Sequence, residues 1–528
     1  MHIIMIAAEN GALKGGKVGG IGDVIRDVPQ ALARKGHRVS VVTPAYGLLC
    51  RLNPSTVIGT VSVEFSGATE ILEFCSAKPA IKSSPDIAHG QVNHYLLDHP
   101  LFSACGAGSI YCNDQQGPFE TDAHKFSLFC IAVCQLLKDE LIAEVDMFHL
   151  HDWHAAMFTI LRRYLPAYQQ LQAIPVVYTI HNLSLQGIRP LDHNASSLRG
   201  WFPQLSADIA LIKDPRYHDC VNLMRAGIKL ADKVHAVSPS YAEEILRPSD
   251  PDHGFVGGEG LEHDLQILAA ENRLIGILNG CDYTWVPPTL SNPAKLFDLM
   301  EAELRNWVLS HDYIPAAHFF ALALLHKWRR KRKAFSPVLT SVGRITDQKL
   351  RLLMEPMNDH EGHSRSALEC LLDEIGDGVF ILLGSGDEQY EKFFTRMMAH
   401  RENFLFLRGF SEPLAEALYV FGDLFLMPSS YEPCGISQML AMRAGTPCIV
   451  HHVGGLRDTV EHEVNGFAFT GTTQAEQAEA MLKAVRHAIA VRAQPETWLS
   501  ICAAAARSRF SWDDATAKYM TELYNIKC

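Results

Sequence analysis

Short apolar runs, each closed by glycine, proline or a polar cluster, alternate along this chain with stretches of helical period. Met1–Ala8 is such a run. A glycine-rich loop follows it, and then Val24, Val28 and Leu32 recur at helical spacing until Gly36. Arg38–Val42, Val145–Leu150, Pro175–Ile180 and Lys233–Val237 repeat the apolar run. The pattern starts afresh at Val338–Val342 and continues through Val379–Leu383, Phe404–Leu407, Leu424–Met427 and Pro447–Val450. Strands that are apolar at consecutive positions have both faces covered, as in a parallel sheet flanked by helices. Strands alternating with helices predict a doubly wound α/β architecture, with function gathered at the strands' carboxyl ends.

At 528 residues the chain exceeds one ordinary core, so two domains are expected. Trp285–Phe335 separates the two sets of strands, with Pro287-Pro288 early and a helical, basic stretch after it. The boundary is placed near residue 285, giving domains 1–285 and 286–508. Hydrophobic residues make up 48% and charged residues 20%, the balance of a soluble globular protein. The net charge of −12 speaks against a general role on nucleic acid or anionic membranes, which call for a basic surface. One basic run, Lys327 to Lys333 (KWRRKRK), reads as a solvated helix face or as a docking patch for an anionic partner.

No stretch approaches the ~20 apolar residues of a membrane span. The first residues, HIIMIAAEN, lack the basic region of a signal peptide. Thirteen cysteines are scattered without a CxxC pair, which predicts reduced thiols in a cytoplasmic protein.

Candidate chemistry lies just past the strands. Gly15 to Asp23 (GGKVGGIGD) follows one strand and opens a helix, where glycines let backbone N–H groups approach a phosphate, or simply make a tight turn. It has neither Walker nor dinucleotide spacing. His149 to His154 (HLHDWH) offers three histidines and Asp152, but strand alternation splits the rings between faces, and no metal site is expected. His181 ends the next strand, where a structural histidine is the competing reading. Asn279-Gly280 follows an apolar run and reads equally as a turn. Arg344 and Lys349 (GRITDQK) place a fork and a point charge past a strand, suited to phosphate oxygens. In YEPCGIS, Glu432 stands beside Pro433, followed by Cys434, Gly435, Ile436 and Ser437 and an apolar helical run. Phe410 precedes this segment, as a core residue or an exposed platform.

These motifs resemble those of the bacterial glycogen synthase and plant starch synthase family. The resemblance runs from Lys17 through Arg225–Ile245 (RAGIKLADKVHAVSPSYAEEI) and the EPCG segment to Phe510–Tyr524. It is weakest in residues 50–120, 290–335 and 351–370. It implies a GT-B fold, two Rossmann-like domains facing each other across a cleft, with a C-terminal helix, 509–528, crossing back to the first. It implies glucose transfer, with retention, from ADP-glucose (or UDP-glucose) to the non-reducing 4-hydroxyl of an α-1,4-glucan. No cofactor is implied. The family's catalytic positions match Lys17, His181, Arg344, Lys349 and Glu432. Its donor-binding positions match Gly19, Gly20, Asp23, Asn279, Phe410, Cys434, Gly435, Ile436 and Ser437. Asp152 falls on the acceptor or sugar side. Leu350 replaces the family's usual glycine, which implies a reshaped turn after Lys349. A small-acceptor glucosyltransferase of the same fold and a catalytically silent glucan-binding homologue are the alternatives.

Overall fold

The computed structural model describes residues 1–79, 91–112, 114, 118–284, 293–309, 314–330, 335–358 and 364–525. They form two compact units. The first comprises Met1–Ser249, Val256–Gly280 and Ser511–Cys528, and the second Asp250–Phe255 and Cys281–Phe510.

The first unit is built on a nine-stranded sheet. Seven strands are parallel, in the spatial order Leu274–Gly276, Lys233–Ala236, Val176–Ile180, Met147–His151, His2–Ile6, Arg38–Pro44 and Gln91–Asp98. His2–Ile6, Met147–His151 and Val176–Ile180 are buried at every position, which is why they read as unbroken apolar runs. The antiparallel hairpin Ser55–Phe65 and Ala68–Ala77 completes the sheet. Its two-residue turn, Ser66-Gly67, has positive φ at both positions, the geometry that matches strand twist.

The chain's last helical segment, Trp512–Lys518 continuing through Tyr519–Leu523, belongs to this first unit. Trp512, Tyr519 and Leu523 share a core with Val24, Val28 and Leu32 of the helix Gly20–Arg34. The Trp512 indole donates to Asp27 (3.0 Å).

The second unit holds a six-stranded parallel sheet, ordered Phe404–Arg408, Val379–Gly384, Val338–Val342, Leu424–Met427, Cys448–His451 and Gly466–Phe469. Phe380, Phe394, Phe404 and Phe406 pack together in its core. Both sheets have a point where the strand order reverses. In the first unit it lies between His2–Ile6 and Met147–His151, in the second between Val338–Val342 and Leu424–Met427. Ligands of open α/β sheets bind at the carboxyl ends of such neighbours, because the connections there diverge to opposite faces and leave a crevice.

Within Trp285–Phe335, the prolines 287 and 288 lie outside the described residues, and the rest includes helices Pro293–Leu309 and Ala316–Arg329. In the basic run, Lys327 pairs with Glu402, and Arg329 pairs with Asp298 (2.6 Å) and Glu301 (2.8 Å). Lys331 to Lys333 lie outside the described residues.

The cysteines correct one expectation. Cys105 and Cys112 are joined in a disulfide, while Cys130, Cys134 and Cys448 are free and buried. Gly106 and Gly108, both at positive φ, fold the intervening loop back so that the two Cα atoms lie 5.8 Å apart. A spacing of seven residues carries no signature of such a bridge.

Candidate functional site

In the first unit the glycine-rich loop leaves His2–Ile6 and enters the helix Gly20–Arg34. Its organiser is Glu9, a residue not singled out from the sequence. One carboxylate oxygen accepts the N–H groups of Val18 (2.8 Å), Gly19 (2.7 Å) and Gly22 (3.2 Å). The other accepts the Tyr111 hydroxyl (2.7 Å). The Gly19 N–H, expected to face a phosphate, is therefore bonded to a protein carboxylate, which also meets the positive end of the helix dipole. Gly20 faces open space: a Cβ built there meets no atom within 4 Å. Lys17 is half-exposed and bonded to Asp23 (2.6 Å), which also faces Arg26 (3.2 Å). The only sequence signal for Glu9 is an acidic residue directly after the first strand.

Asp152 follows the adjacent strand, Met147–His151, across the switch point. It opens the helix Asp152–Tyr164 with a left-handed φ of 56°, a conformation non-glycine residues adopt at a cost. It is 4% exposed, and its carboxylate accepts the His181 N–H (2.7 Å). Burial pushes its pKa up to about 8, so at neutral pH it is largely a neutral carboxylic acid.

The His181 ring bonds to His151 (3.0 Å), and burial, with neighbouring histidines, keeps it well below the ordinary imidazole value. His149 bonds to Thr179 (2.6 Å) and to the Tyr524 hydroxyl (2.7 Å), and Thr179 bonds to His235 (3.0 Å). These histidines are linked side chains beneath the strand ends. The one group of His and carboxylate atoms near enough to share an ion, among the described residues, is His462, Glu463 and His487 on the second unit. Asn279 is buried, and its side-chain oxygen has no hydrogen-bond partner among the described residues.

In the second unit, Arg344 follows Val338–Val342, and Lys349 lies in the helix Asp347–Met354. Glu432 comes from the loop after the adjacent strand Leu424–Met427. The switch point thus brings the two motifs together: Lys349 forms an ion pair with Glu432, which also accepts the Ser429 hydroxyl (3.0 Å). Gln348 fixes the approach, since its side-chain amide donates to the Tyr431 carbonyl (3.1 Å) and its backbone carbonyl accepts the Ser430 N–H (2.8 Å). A narrow crevice of about 20 Å³ opens here, lined by Gly343, Arg344, Lys349, Leu350, Pro428 and Ser429. Arg344 is exposed and makes no ion pair among the described residues. Leu350 is 3% exposed inside the helix, so the turn expected to be reshaped there is a regular helical turn with an apolar side chain in the core.

Gly435 sits at φ 75°, and a Cβ would meet the Gln438 side chain at 2.5 Å, so glycine is required at this position. Gln438 bonds to the carbonyls of Cys434 (3.2 Å) and Gly435 (3.0 Å), holding the turn. Cys434 is buried, Ile436 precedes the helix Ser437–Arg443, and Ser437 begins it, half-buried. Phe410 is 58% exposed in the loop after Phe404–Arg408, which excludes the core reading. Gln348 was not legible as a site residue, since it acts by bonding to a segment distant in sequence, and Ser429 and Gln438 were not, since they brace their own turn through contacts that no spacing announces.

Residues 2–267 match the starch synthase catalytic domain family, and residues 336–487 match the glycosyl transferases group 1 family. A glycogen synthase of Streptococcus equi subsp. equi is 32% identical over 99% of both chains. One from Streptococcus sanguinis is 33% identical over 99% of both. Among solved structures, the catalytic domain of starch synthase IV from Arabidopsis thaliana, bound to ADP and acarbose, aligns with a TM-score of 0.72. That likeness has 25% identity and covers 99% of this chain and 98% of the other. Two α/β units, each built on a sheet of mainly parallel strands with charged side chains at its switch point, together with these matches define a glycosyltransferase of the GT-B fold. The chain belongs to the glycogen synthase family, and its activity is that of a glycogen or starch synthase, a hexosyltransferase. No helix among the described residues is long and apolar enough to cross a membrane.

Proposed function

We propose that this chain transfers glucose from ADP-glucose, in preference to UDP-glucose, to the non-reducing 4-hydroxyl of an α-1,4-glucan, with retention, in the cytoplasm. The observation carrying this reading is the second unit's crevice, where exposed Arg344 and the Lys349–Glu432 pair sit at a topological switch point. Likeness over nearly the whole chain to a starch synthase bound to ADP supports the choice of nucleotide.

In this reading residues 286–508 form the donor domain, residues 1–285 the acceptor domain, and 509–528 a helix returning to the latter. Arg344 and Lys349 bind the diphosphate, and with Lys17 they offset the charge it gains as the glucosyl C1–O bond breaks. Glu432 positions the sugar and stabilises its oxocarbenium-like transition state. The acceptor oxygen then bonds to C1, and its proton passes to the departing phosphate. Phe410 offers the nucleobase an exposed ring. Gly435, Ile436 and Ser437, following Cys434, form the turn and helix start beside the sugar phosphate. His181 is a neutral hydrogen-bonding partner for glucose, and Asn279 offers a sugar hydroxyl a side-chain oxygen that has no partner among the described residues. Asp152, with Gly19, Gly20 and Asp23, shapes the first unit's wall.

The test is release of nucleoside diphosphate from ADP-glucose and from UDP-glucose, each with and without glycogen. Glycogen-dependent ADP release is expected. Release only with a small acceptor such as glucose 1-phosphate would replace the proposed acceptor, and release from neither donor would overturn the reading.

A further inference from the structure

We propose that Cys105 and Cys112 are a reversible dithiol–disulfide couple that sets the geometry of the glycine-rich loop and, through it, donor use. This rests on the function proposed above. Cys112 adjoins Tyr111, whose hydroxyl holds Glu9, and Glu9 in turn holds the N–H groups of Val18, Gly19 and Gly22 around Lys17. The bridge thus lies three contacts from the loop.

Two features make the couple reversible. Cys105 is exposed whereas Cys112 is half-buried, so the Cys105 end of the bridge is the one nearer to an external thiol. The Lys125 ammonium, whose side chain is 1% exposed and paired with Asp122 (2.7 Å), lies 3.9 Å from the Cys112 sulfur. A cation beside a sulfur stabilises its thiolate and makes it the better leaving group. A dithiol therefore attacks Cys105, the S–S bond breaks, and Cys112 leaves as a thiolate and takes a proton. The dithiol's second sulfur then displaces Cys105 as a thiol. The bridge gains two electrons and the dithiol ends as its own disulfide.

The near end of this strap has other anchors. Lys125 donates to the Ile110 carbonyl (2.6 Å), and the Cys112 N–H donates to Asp122 (3.2 Å). Reduction therefore loosens Tyr111 without releasing it, and activity falls rather than vanishes.

The experiment equilibrates the full-length protein in dithiothreitol redox buffers. Free thiols are then counted by alkylation and mass spectrometry. Donor kinetics and hydrogen exchange of the peptide carrying Val18 to Gly22 are measured on the same samples. As the pair becomes reduced, kcat/KM for the donor should fall about fivefold, the worth of one positioned hydrogen bond, and the loop amides should exchange faster. The double variant C105S/C112S should stay at the reduced value in every buffer. Tyr111→Phe should sit near that value while its bridge still titrates. Loop exchange and kcat/KM unchanged across the thiol titration would overturn the proposal, as would a pair that never oxidises. A protein inactive in both states would sink the function proposed above, and loop exchange would still decide the coupling.

Discussion

Arg344 and Lys349 stand five positions apart and line one crevice, yet their substitutions should fail differently. Arg344 is exposed and makes no ion pair among the described residues, so Arg344→Ala leaves no stranded partner. It should lower kcat/KM for the donor by on the order of 10²–10³, as removal of a preorganised charge does. Its thermal stability should stay within about 0.5 kcal/mol of wild type. Lys349→Ala also strands the Glu432 carboxylate, 5% exposed, with only the Ser429 hydroxyl remaining among the described residues, so stability should fall by about 2 kcal/mol as well. Steady-state kinetics alongside thermal unfolding separates the two. Wild-type stability in Lys349→Ala would mean that the Lys349–Glu432 pair contributes nothing to the fold. Both cations were legible because they stand within seven residues of the apolar run Val338–Val342, Arg344 just past it and Lys349 at the start of the helix that follows. Their pairing with Glu432 was not, because it depends on which strands become neighbours at the switch point.

At the scale of elements, legibility followed burial. The fully buried parallel strands His2–Ile6 and Val338–Val342 announce themselves as apolar runs. The hairpin Ser55–Phe65 and Ala68–Ala77 did not, since half its positions are exposed and its apolar residues alternate with polar ones. The glycine-rich loop lies between these cases. Its glycines were evident, but the carboxylate that occupies their N–H groups was not, so the expected phosphate cradle is partly filled by Glu9. The open face of that loop is Gly20, and this makes a test. Gly20→Ala places its methyl in empty space at a helix start, where alanine is favoured by up to about 1 kcal/mol, so folding should be undiminished. If donor sugar or phosphate packs against this backbone, kcat/KM should drop on the order of 10- to 100-fold through displacement of the reacting groups. Wild-type kinetics in the variant would remove the Gly20 backbone from the donor site.

For the molecule as a whole, the first unit's interior predicts how stability changes with pH. Burial holds His94 and His235 down to about 4 and His154 to about 3, against an ordinary imidazole value near 6.5. Below pH 6.5 the unfolded chain binds these protons and the folded chain does not. Stability is therefore fully present above about 6.5 and lost as pH falls toward 4, with a limiting slope of about 1.4 kcal/mol per pH unit for each histidine. Asp152 runs the other way. Its folded value of about 8 lies above the ordinary carboxylate value, so its contribution is intact below about pH 4 and is lost as pH rises to 8. Asp152→Asn keeps an oxygen for the His181 N–H and removes the titration. The variant should match wild type in acid and exceed it at pH 8, as read by hydrogen exchange of the strands Met147–His151 and Val176–Ile180. Its transfer rate should fall if the carboxyl group acts on the acceptor. A variant no more stable than wild type at pH 8 would mean that Asp152 is ionised in the folded protein, and that its left-handed backbone serves a carboxylate rather than a neutral acid.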